Sequence, residues 1–343
     1  MSDRAAVPFD PSSAEKAGQD WIDAMRAGEF ERAWRINDRD LARLRRSGVD
    51  KHSGPRHMQR IWRGEELGGR HVLVRCYHGL GDTIQFIRFM PALRAVAREV
   101  TVWCQPALLP LLATAEGIDR AIPLHDGVPD VEFDVDIEIM EVPHAIRARQ
   151  GQIALQRPYL SLPPGGAEFQ RSRSGRVAVG LVWEVGAWDK RREIPVAALR
   201  RLSGSSTVLY SLQLGPGAAM AESIGARDIS TADICLLARR IAQLDLVVCV
   251  DTMLAHLAGA LGLEVWVLLH ADCDWRWPAH GERSIWYPTA RLFRQSRPGD
   301  WTSVIEEVRN ALDQRNGASV AASPDRVVDG LGASISSREG NRR

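Results

Sequence analysis

The sequence predicts an α/β fold built from two doubly wound domains in tandem. Short apolar strands alternate with helical segments along most of the chain, which is typical of parallel sheets. These strands are apolar throughout, as expected where both faces of a sheet are covered. The chain has 343 residues, which is long for one core and suits two domains.

The N-terminal sixty residues differ from the rest of the chain. We expect residues 1–13 to be a disordered lead and residues 14–60 to be a helical extension. Two short amphipathic helices on either side of Gly28 are predicted by the spacing of Trp21, Ile22, Met25, Phe30, Ala33, Trp34 and Ile36. The pattern resembles one tetratricopeptide helical pair, and the absence of repeats argues against a full array.

Residues 61–165 are predicted to form the first Rossmann-like domain. A strand at HVLVRC, from residue 71, precedes the loop YHGLG and a helix from Asp82 to about Ala97. Further strands are expected near 100–104 and 134–140, with a helix between them. Prolines and glycines at 163–166 then indicate the domain boundary.

Residues 175–300 are predicted to form the second Rossmann-like domain. Strands are expected at 176–183, 207–213, 244–251 and 264–269, separated by helices. A C-terminal helix follows at 301–315. The remainder, 316–343, is rich in Ser, Gly, Asp and Arg and is predicted to be disordered.

Composition and charge exclude several classes of function. The formal net charge of +1 offers no strong field for nucleic acid. Five scattered cysteines without a C-x-x-C pair predict a reducing compartment, and no metal-ligand spacing is present. No apolar run reaches the roughly 18 residues of a membrane helix. We therefore expect a cytoplasmic protein, with at most peripheral contact at the inner membrane face.

The segment LDLVVCVDTMLAHLAGALG combines a strand end with a helix start. Asp251 or Thr252 is predicted to cap the helix, and His256 in its first turn can face a cleft. Free N–H groups at such a helix start suit a diphosphate. The alternative is a structural helix with an incidental histidine, and the segment alone favours that alternative.

The loop YHGLGDTIQF follows the first strand of the first domain. Gly79 and Gly81 are predicted to allow a tight turn, and Asp82 with Gln85 matches a D-x-x-Q capping box. A carboxylate at this position would repel a phosphate. It suits a general base that accepts a proton from an acceptor hydroxyl, although a plain N-cap explains the same residue.

Two further loops follow strands of the second domain. Lys190, Arg191 and Arg192 lie where a diphosphate could be neutralised, although such a charge run is usually a solvated face. The loop HADCDWRWPAHGERSIWYP is dense in aromatic residues. It predicts equally a sugar or base platform, for which Asp274, Trp275 and Arg276 are the candidates, or a hydrophobic cluster under a long loop.

Together these segments resemble the glycosyltransferase family 9 proteins, the heptosyltransferase-like group. The resemblance is carried by GLGDTIQFIRFMPAL, VGLVW, SLQLGPG, IAQLDLVVCVDTMLAHLAGALG, VWVLL, DWRW and WYPTARLFRQ, in that order. It spans roughly Trp62 to Trp301 and is strongest to the branch often attached to tetratricopeptide helices.

The resemblance implies a GT-B fold and an inverting, metal-independent transfer from a nucleotide-diphosphate sugar, with no cofactor. It implies that Asp82 is the catalytic base and that Arg192 holds the donor phosphates. The donor-binding residues that it implies are Gln213, Asp251, Thr252, Met253 (through its backbone) and His256. One departure is Glu193, which stands where the branch commonly has serine and puts an acid beside Arg192.

We therefore expect an enzyme that transfers a heptose-like sugar to a glycan, lipid-linked or protein acceptor, in lipopolysaccharide or surface-glycan assembly. Closure of the two domains would exclude water. One alternative is a protein-directed O-glycosyltransferase whose helical extension recruits the target. The other is a sugar-nucleotide-binding or scaffold protein without turnover, against which the joint presence of Asp82, Arg192 and His256 argues.

Overall fold

The computed structural model describes residues 11–172, 175–186, 189–204 and 206–321. The α-helices are α1 (Pro11–Arg26), α2 (Phe30–Ser47), α3 (Leu80–Phe86), α4 (Met90–Arg94), α5 (Leu109–Leu112), α6 (Val142–Ala145), α7 (Gln150–Ile153), α8 (Val196–Leu199), α9 (Ile234–Ile241), α10 (Met253–Ala260) and α11 (Trp301–Ala321). The strands are β1 (His71–Arg75), β2 (Glu99–Cys104), β3 (Arg120–Pro123), β4 (Val135–Glu138), β5 (Val177–Val182), β6 (Thr207–Ser211), β7 (Arg227–Asp228), β8 (Leu246–Val250), β9 (Val265–Leu269) and β10 (Ala290–Arg294). Short 3₁₀ segments lie at Arg56–Met58, Ile87–Phe89, Pro106–Leu108, Ile139–Glu141, Lys190–Arg192, Arg200–Leu202, Pro216–Met220 and Glu222–Ile224.

The helical extension consists of α1 and α2, as predicted. The glycine between them, Gly28, has a φ of 73°, a conformation that favours glycine. The predicted disordered lead and tail lie largely outside the described residues. Where they meet the described chain the prediction is wrong: residues 11–13 belong to α1, and residues 316–321 extend α11.

The first sheet is parallel, with strand order β3-β2-β1-β4. Val72 in β1 lies opposite Val100 in β2 and Val135 in β4, so β1 is a central strand. Strand β3 was not predicted from the sequence, and its residues RAIP are at most half-buried at the edge of the sheet. An edge strand of this kind lacks the continuous apolar run by which the others were found.

The second sheet is also parallel and has the order β10-β9-β8-β5-β6-β7. Its four inner strands correspond to the predicted ones, and the missed strands β7 and β10 are the two edges. The predicted boundary at 163–166 falls between β4 and β5, that is, between the last strand of one sheet and the first of the other.

The predicted continuous helix from Asp82 to Ala97 is wrong. Helix α3 begins at Leu80, a 3₁₀ turn follows at Ile87–Phe89, and α4 ends at Arg94. Pro91 lies in the first turn of α4, where its missing N–H is tolerated, whereas it would interrupt a continuing helix. The break turns the chain back onto β2.

A continuous apolar core joins the two halves of the molecule. Val247 and Cys249 of β8 belong to a cluster that extends through α10 and the first sheet to Met25 and Phe30 of the helical extension. Leu246, Val248 and Val250 of the same strand pack with α11 on the opposite face. Both faces of the second sheet are therefore covered, as expected for a doubly wound fold.

None of the described helices combines the length and the apolar character needed to cross a bilayer. All five cysteines are buried as free thiols.

Candidate active site

A cavity of about 900 Å³ lies between the two sheets. Its walls are the β1–α3 loop, the end of β5, the β8–α10 junction and the loop that follows β9. The predicted residues that line it are Gly79, Gly81, Asp82, Arg192, Gln213, Asp251, Thr252, Met253, His256, Asp274, Trp275 and Arg276. Gln85 does not line the cavity and lies buried behind it. The topology thus collects residues that are more than 190 positions apart in the sequence.

Helices α3 and α10 pack against each other beside this cavity. A Cβ atom placed on Gly81 would lie 3.0 Å from Cδ2 of His256 and 3.2 Å from Cα of Met253. Neither Gly79 nor Gly81 has a positive φ, so the backbone conformation at these positions does not require glycine. The function of Gly81 is instead to allow the backbones of the two halves to approach closely.

The D-x-x-Q pattern predicted Asp82 as the N-cap of α3, and this prediction is wrong. The N-cap is Gly79, and Asp82 is the third helical residue, whose Oδ2 accepts a hydrogen bond of 2.9 Å from the backbone N–H of Gly79. The reach-back from the third position is the second half of a capping box. It fixes the carboxylate at the cavity wall.

Arg276 joins Asp82 to the other side of the cavity. Its guanidinium forms an ion pair with Oδ1 of Asp82. It also donates to Oδ1 of Asp274 at 2.8 Å and, through Nε, to Oε1 of Gln85 at 2.7 Å. The predicted acceptor loop and the predicted sugar platform therefore form one hydrogen-bonded group, a connection that no local sequence pattern indicates.

The start of α10 lacks the predicted side-chain cap. Thr252 occupies the N-cap position, but no side chain caps the helix, and Oγ1 of Thr252 is buried without a hydrogen-bond partner among the described residues. The expectation that Asp251 or Thr252 caps the helix by its side chain is thus wrong. The first N–H groups of a helix have no acceptor within the helix, so this end can accept an anion.

The carboxylate of Asp251 turns towards Arg192 instead. The two side chains form an ion pair at 3.3 Å, and Arg192 also donates to the backbone oxygen of Asp251 at 3.0 Å. A second carboxylate, that of Asp189, lies 3.6 Å from Nε of Arg192. Burial raises the pKa of Asp251, while Arg192 acts in the opposite direction.

Glu193, which follows Arg192 in the sequence, does not pair with Arg192. Glu193 pairs with Lys190, with 2.5 Å between Oε1 and Nζ. Lys190 is exposed and does not line the cavity. Of the run of three basic residues, Arg192 alone lines the cavity, and its guanidinium is held at the start of α10 by Asp251.

His256 is buried with one face at the cavity. Its Nδ1 is 2.9 Å from the hydroxyl of Tyr287, and its ring stacks on Trp277 with 5.8 Å between centroids. Burial, and then the positive charges of Arg276 and Arg88, lower the pKa of His256 well below its usual value. The imidazole is therefore neutral in neutral solution, and any contact it makes with a phosphate is a hydrogen bond without a full charge.

Gln213 ties together the ends of β5 and β6. Its Oε1 accepts hydrogen bonds of 2.9 Å from the backbone N–H groups of Trp183 and Glu184, and its Nε2 donates to the oxygen of Leu214 at 2.8 Å. The amide is thus engaged with the backbone. Gln213 shapes the cavity wall, and the adjoining Gly215 turns the chain with a φ of 80°.

The aromatic residues after β9 divide between the two roles that the sequence left open. Trp277, Trp286 and Tyr287 are buried in the core. Trp275 is half-buried and lines the cavity beside Asp274 and Arg276. The cluster interpretation is therefore correct for three of the four aromatic residues, and a platform role is left to Trp275.

Sequence reasoning missed two histidines and a glutamate near Asp82. His78 lines the cavity, and burial lowers its pKa. Its Nε2 lies 3.8 Å from Glu138, whose pKa burial raises to about 8. His57 lines the same cavity from a 3₁₀ turn after α2. His78 could have been found, since it stands in the loop after β1, whereas His57 carries no sequence signal. Within the described ranges, no three His, Cys, Asp or Glu side chains are placed to share a metal ion.

Comparison with known proteins relates this fold to solved structures. A family 9 glycosyl transferase from Veillonella parvula superposes with a TM-score of 0.50 and 13% identity, covering 74% of this chain and 99% of that one. This chain has the fold of a family 9 glycosyltransferase. The GT-B prediction is thereby confirmed. At 13% identity, this similarity is evidence for the fold alone.

Two further structures are similar at lower scores. The ADP-heptose lipopolysaccharide heptosyltransferase II of E. coli gives a TM-score of 0.48 at 16% identity, over 71% of this chain and 99% of that one. The E. coli heptosyltransferase WaaC with ADP gives 0.48 at 15% identity, over the same shares. No family model matches the sequence, and no curated protein does.

Proposed function

We propose that this protein is a glycosyltransferase that moves a sugar from a nucleotide-diphosphate sugar to a hydroxyl acceptor. One observation carries the proposal: the cavity places Asp82 of the first domain next to the start of α10 and Arg192 of the second. This arrangement provides an anion site and a potential proton acceptor around one space. It occurs at the carboxyl ends of parallel strands, where ligands bind in open α/β sheets.

The donor side of the proposal rests on α10 and Arg192. The uncapped N–H groups after Thr252 and the guanidinium of Arg192 would hold the diphosphate and stabilise its charge as it leaves. Arg192 is already paired with Asp251 and Asp189, so it is held in position before the donor arrives. A neutral His256 would add a hydrogen bond.

The acceptor side rests on Asp82. The acceptor oxygen would attack the anomeric carbon while the bond from that carbon to the diphosphate oxygen breaks. The hydroxyl proton would pass to the carboxylate of Asp82, and the nucleoside diphosphate would leave. A single displacement of this kind inverts the anomeric centre. The proposal needs neither a metal nor a cofactor, because the positive groups at the diphosphate belong to the protein.

The finer proposal is a heptose-like donor in lipopolysaccharide or surface-glycan assembly. Two structural relatives are named as heptosyltransferases, one of them solved with ADP. They motivate the choice of adenine nucleotides as the first donors to test.

The test is a thermal-shift and calorimetry screen against ADP-, GDP-, UDP- and dTDP-sugars. A ligand that binds the native state alone stabilises it by about 2.7 kcal/mol at a hundredfold excess over its dissociation constant. We expect one nucleotide class to bind and to be released as the diphosphate during turnover. Binding without release under any acceptor condition would favour the non-catalytic alternative, and no binding would overturn the proposal.

A further inference from the structure

A second cavity, of about 360 Å³, lies between the helical extension and the first domain. Its walls come from α1 and α2, from the 3₁₀ turn at Arg56–Met58, and from the end of β4 and the turns that follow it. Its volume falls in the lower part of the range of small-molecule sites, about 300 to 1,000 Å³. Nothing in the proposed donor chemistry uses this space.

The second cavity adjoins the first. His57, His78, Met140 and Trp275 line both of them. His78 lies in the loop that leads to Asp82, so the two cavities meet on the side of the first one that carries the carboxylate proposed as the base. The helical extension therefore forms one wall of a cavity that is continuous with the active-site cavity.

Aromatic rings line the second cavity. The ring of Trp21 in α1 meets the ring of Trp275 edge to face, with 4.9 Å between centroids and 64° between planes. The indole N–H of Trp21 is buried and has no hydrogen-bond partner among the described residues. Phe86 lies 6.3 Å from Trp275 on the same wall. Trp21 and Trp275 are half-buried, and aromatic side chains of this kind can pack against the apolar face of a sugar ring.

Fixed polar groups stand beside these rings. Glu138 is 2% exposed, and its Oε2 accepts a hydrogen bond of 2.7 Å from the backbone N–H of Met140. Because burial raises its pKa to about 8, this carboxyl carries a proton in neutral solution and can donate to a hydroxyl. Glu141 accepts from the backbone N–H of Trp62 at 2.9 Å.

The charged side chains of the wall have ion-pair partners of their own. Arg60 lies 3.3 Å from Glu141, and Asp40 lies 3.6 Å from Arg43, which is outside the cavity. A phosphate or a carboxylate would have to displace these internal partners, whereas a neutral hydroxylated ring would not. Charge balance therefore favours an uncharged ligand.

We propose that the second cavity binds a neutral sugar ring of the acceptor, with the α1–α2 pair as its wall. This inference rests on the proposed function: the bound acceptor presents a hydroxyl whose proton goes to Asp82 as its oxygen forms the new bond to the donor sugar. The helical extension is then part of the acceptor site and sets which glycan is used.

The test uses protein labelled with 5-fluorotryptophan and ¹⁹F NMR. The probes are maltose and lactose as neutral saccharides, with glucose 6-phosphate, 1-hexanol and a seryl tripeptide as contrasts. We expect the neutral saccharides to shift the Trp21 and Trp275 signals saturably, while Trp266, on the second sheet outside both cavities, does not move. The proposal is overturned if no neutral saccharide moves Trp21, or if any contrasting probe binds there more tightly.

Two variants test the location of the saccharide site. Trp21→Leu should weaken saccharide binding at least fivefold. Gly18→Leu should do the same, since Gly18 lines the cavity and a Cβ there meets no atom within 4 Å. Gly151→Leu, an equally open helical position outside both cavities, is the matched control. Saccharide binding that is unchanged in both cavity variants would overturn the proposal.

A separate titration with ADP, GDP, UDP and dTDP distinguishes the inference from the proposed function. Nucleotide binding without a saccharide effect overturns the inference and leaves the proposed function standing. Saccharide binding without any nucleotide binding overturns the proposed function, and with it the acceptor role of the second cavity.

Discussion

The contact between α3 and α10 can be tested by adding one methyl group. In Gly81→Ala, the new Cβ would lie 3.0 Å from Cδ2 of His256 and 3.2 Å from Cα of Met253, so the two helices must separate by a few tenths of an ångström. Overpacking of this kind costs about 1 to 3 kcal/mol. The higher helix propensity of alanine offsets this cost by up to about 1 kcal/mol.

Gly151→Ala provides the matched control. Gly151 is the second residue of α7, as Gly81 is the second residue of α3, but a Cβ there meets nothing within 4 Å. The helix-propensity gain is therefore common to both variants. The difference between them in the free energy of unfolding, measured with urea, should be about 1 to 3 kcal/mol in favour of Gly151→Ala.

The same substitution should affect turnover more than binding. Separation of α3 from α10 moves Asp82 away from the diphosphate site, and small misplacements of reacting groups are costly, so release of the nucleoside diphosphate should fall about tenfold. Nucleotide affinity should fall less than turnover, because the ion pair between Arg192 and Asp251 is not touched by the new methyl group. Equal stability and equal turnover in Gly81→Ala and Gly151→Ala would refute this account of the contact.

Three further predictions concern charged residues. Arg192→Ala should weaken nucleoside-diphosphate binding in calorimetry at least tenfold, or about 1.4 kcal/mol, whereas the neighbouring Lys190→Ala should not. Arg276→Met leaves two carboxylates without their buried partner and should lower the free energy of unfolding in urea by about 3 to 5 kcal/mol, and a loss under 1 kcal/mol would contradict that role. Because the folded state keeps a proton on Glu138 between its ordinary pKa of 4.5 and about 8, that residue makes stability fall as pH rises through this window. Glu138→Gln should flatten the decline in urea titrations, and an unchanged slope would contradict the burial argument.

The inner strands of both sheets could be predicted because their apolar runs follow directly from burial on two faces. Val72 and Val247 lie in such runs, and both are central in their sheets. The edge strands β3 and β10 could not be predicted, since β3 is poorly buried and two arginines interrupt the apolar residues of β10. The other edge strand of the first sheet, β4, is fully buried and was predicted.

The members of the candidate site were found from motif positions, but their partners were not. Nothing local links Asp82 to Arg276, because their contact depends on how the two sheets face each other. The capping pattern at Asp82 was assigned one turn too late, since a glycine N-cap leaves no side-chain signal. The second cavity was also invisible, because it forms where the helical extension closes over the first domain.

The most direct test of the central claim is Asp82→Asn, assayed with the donor identified by the nucleotide-sugar screen. If Asp82 takes the acceptor proton, transfer should fall by about 10² to 10⁴-fold. Donor affinity should stay within about twofold of the wild type in calorimetry, because the diphosphate site lies on α10 and Arg192. Unchanged transfer by Asp82→Asn would contradict the claim that this cavity is a sugar-transfer site with Asp82 as its base.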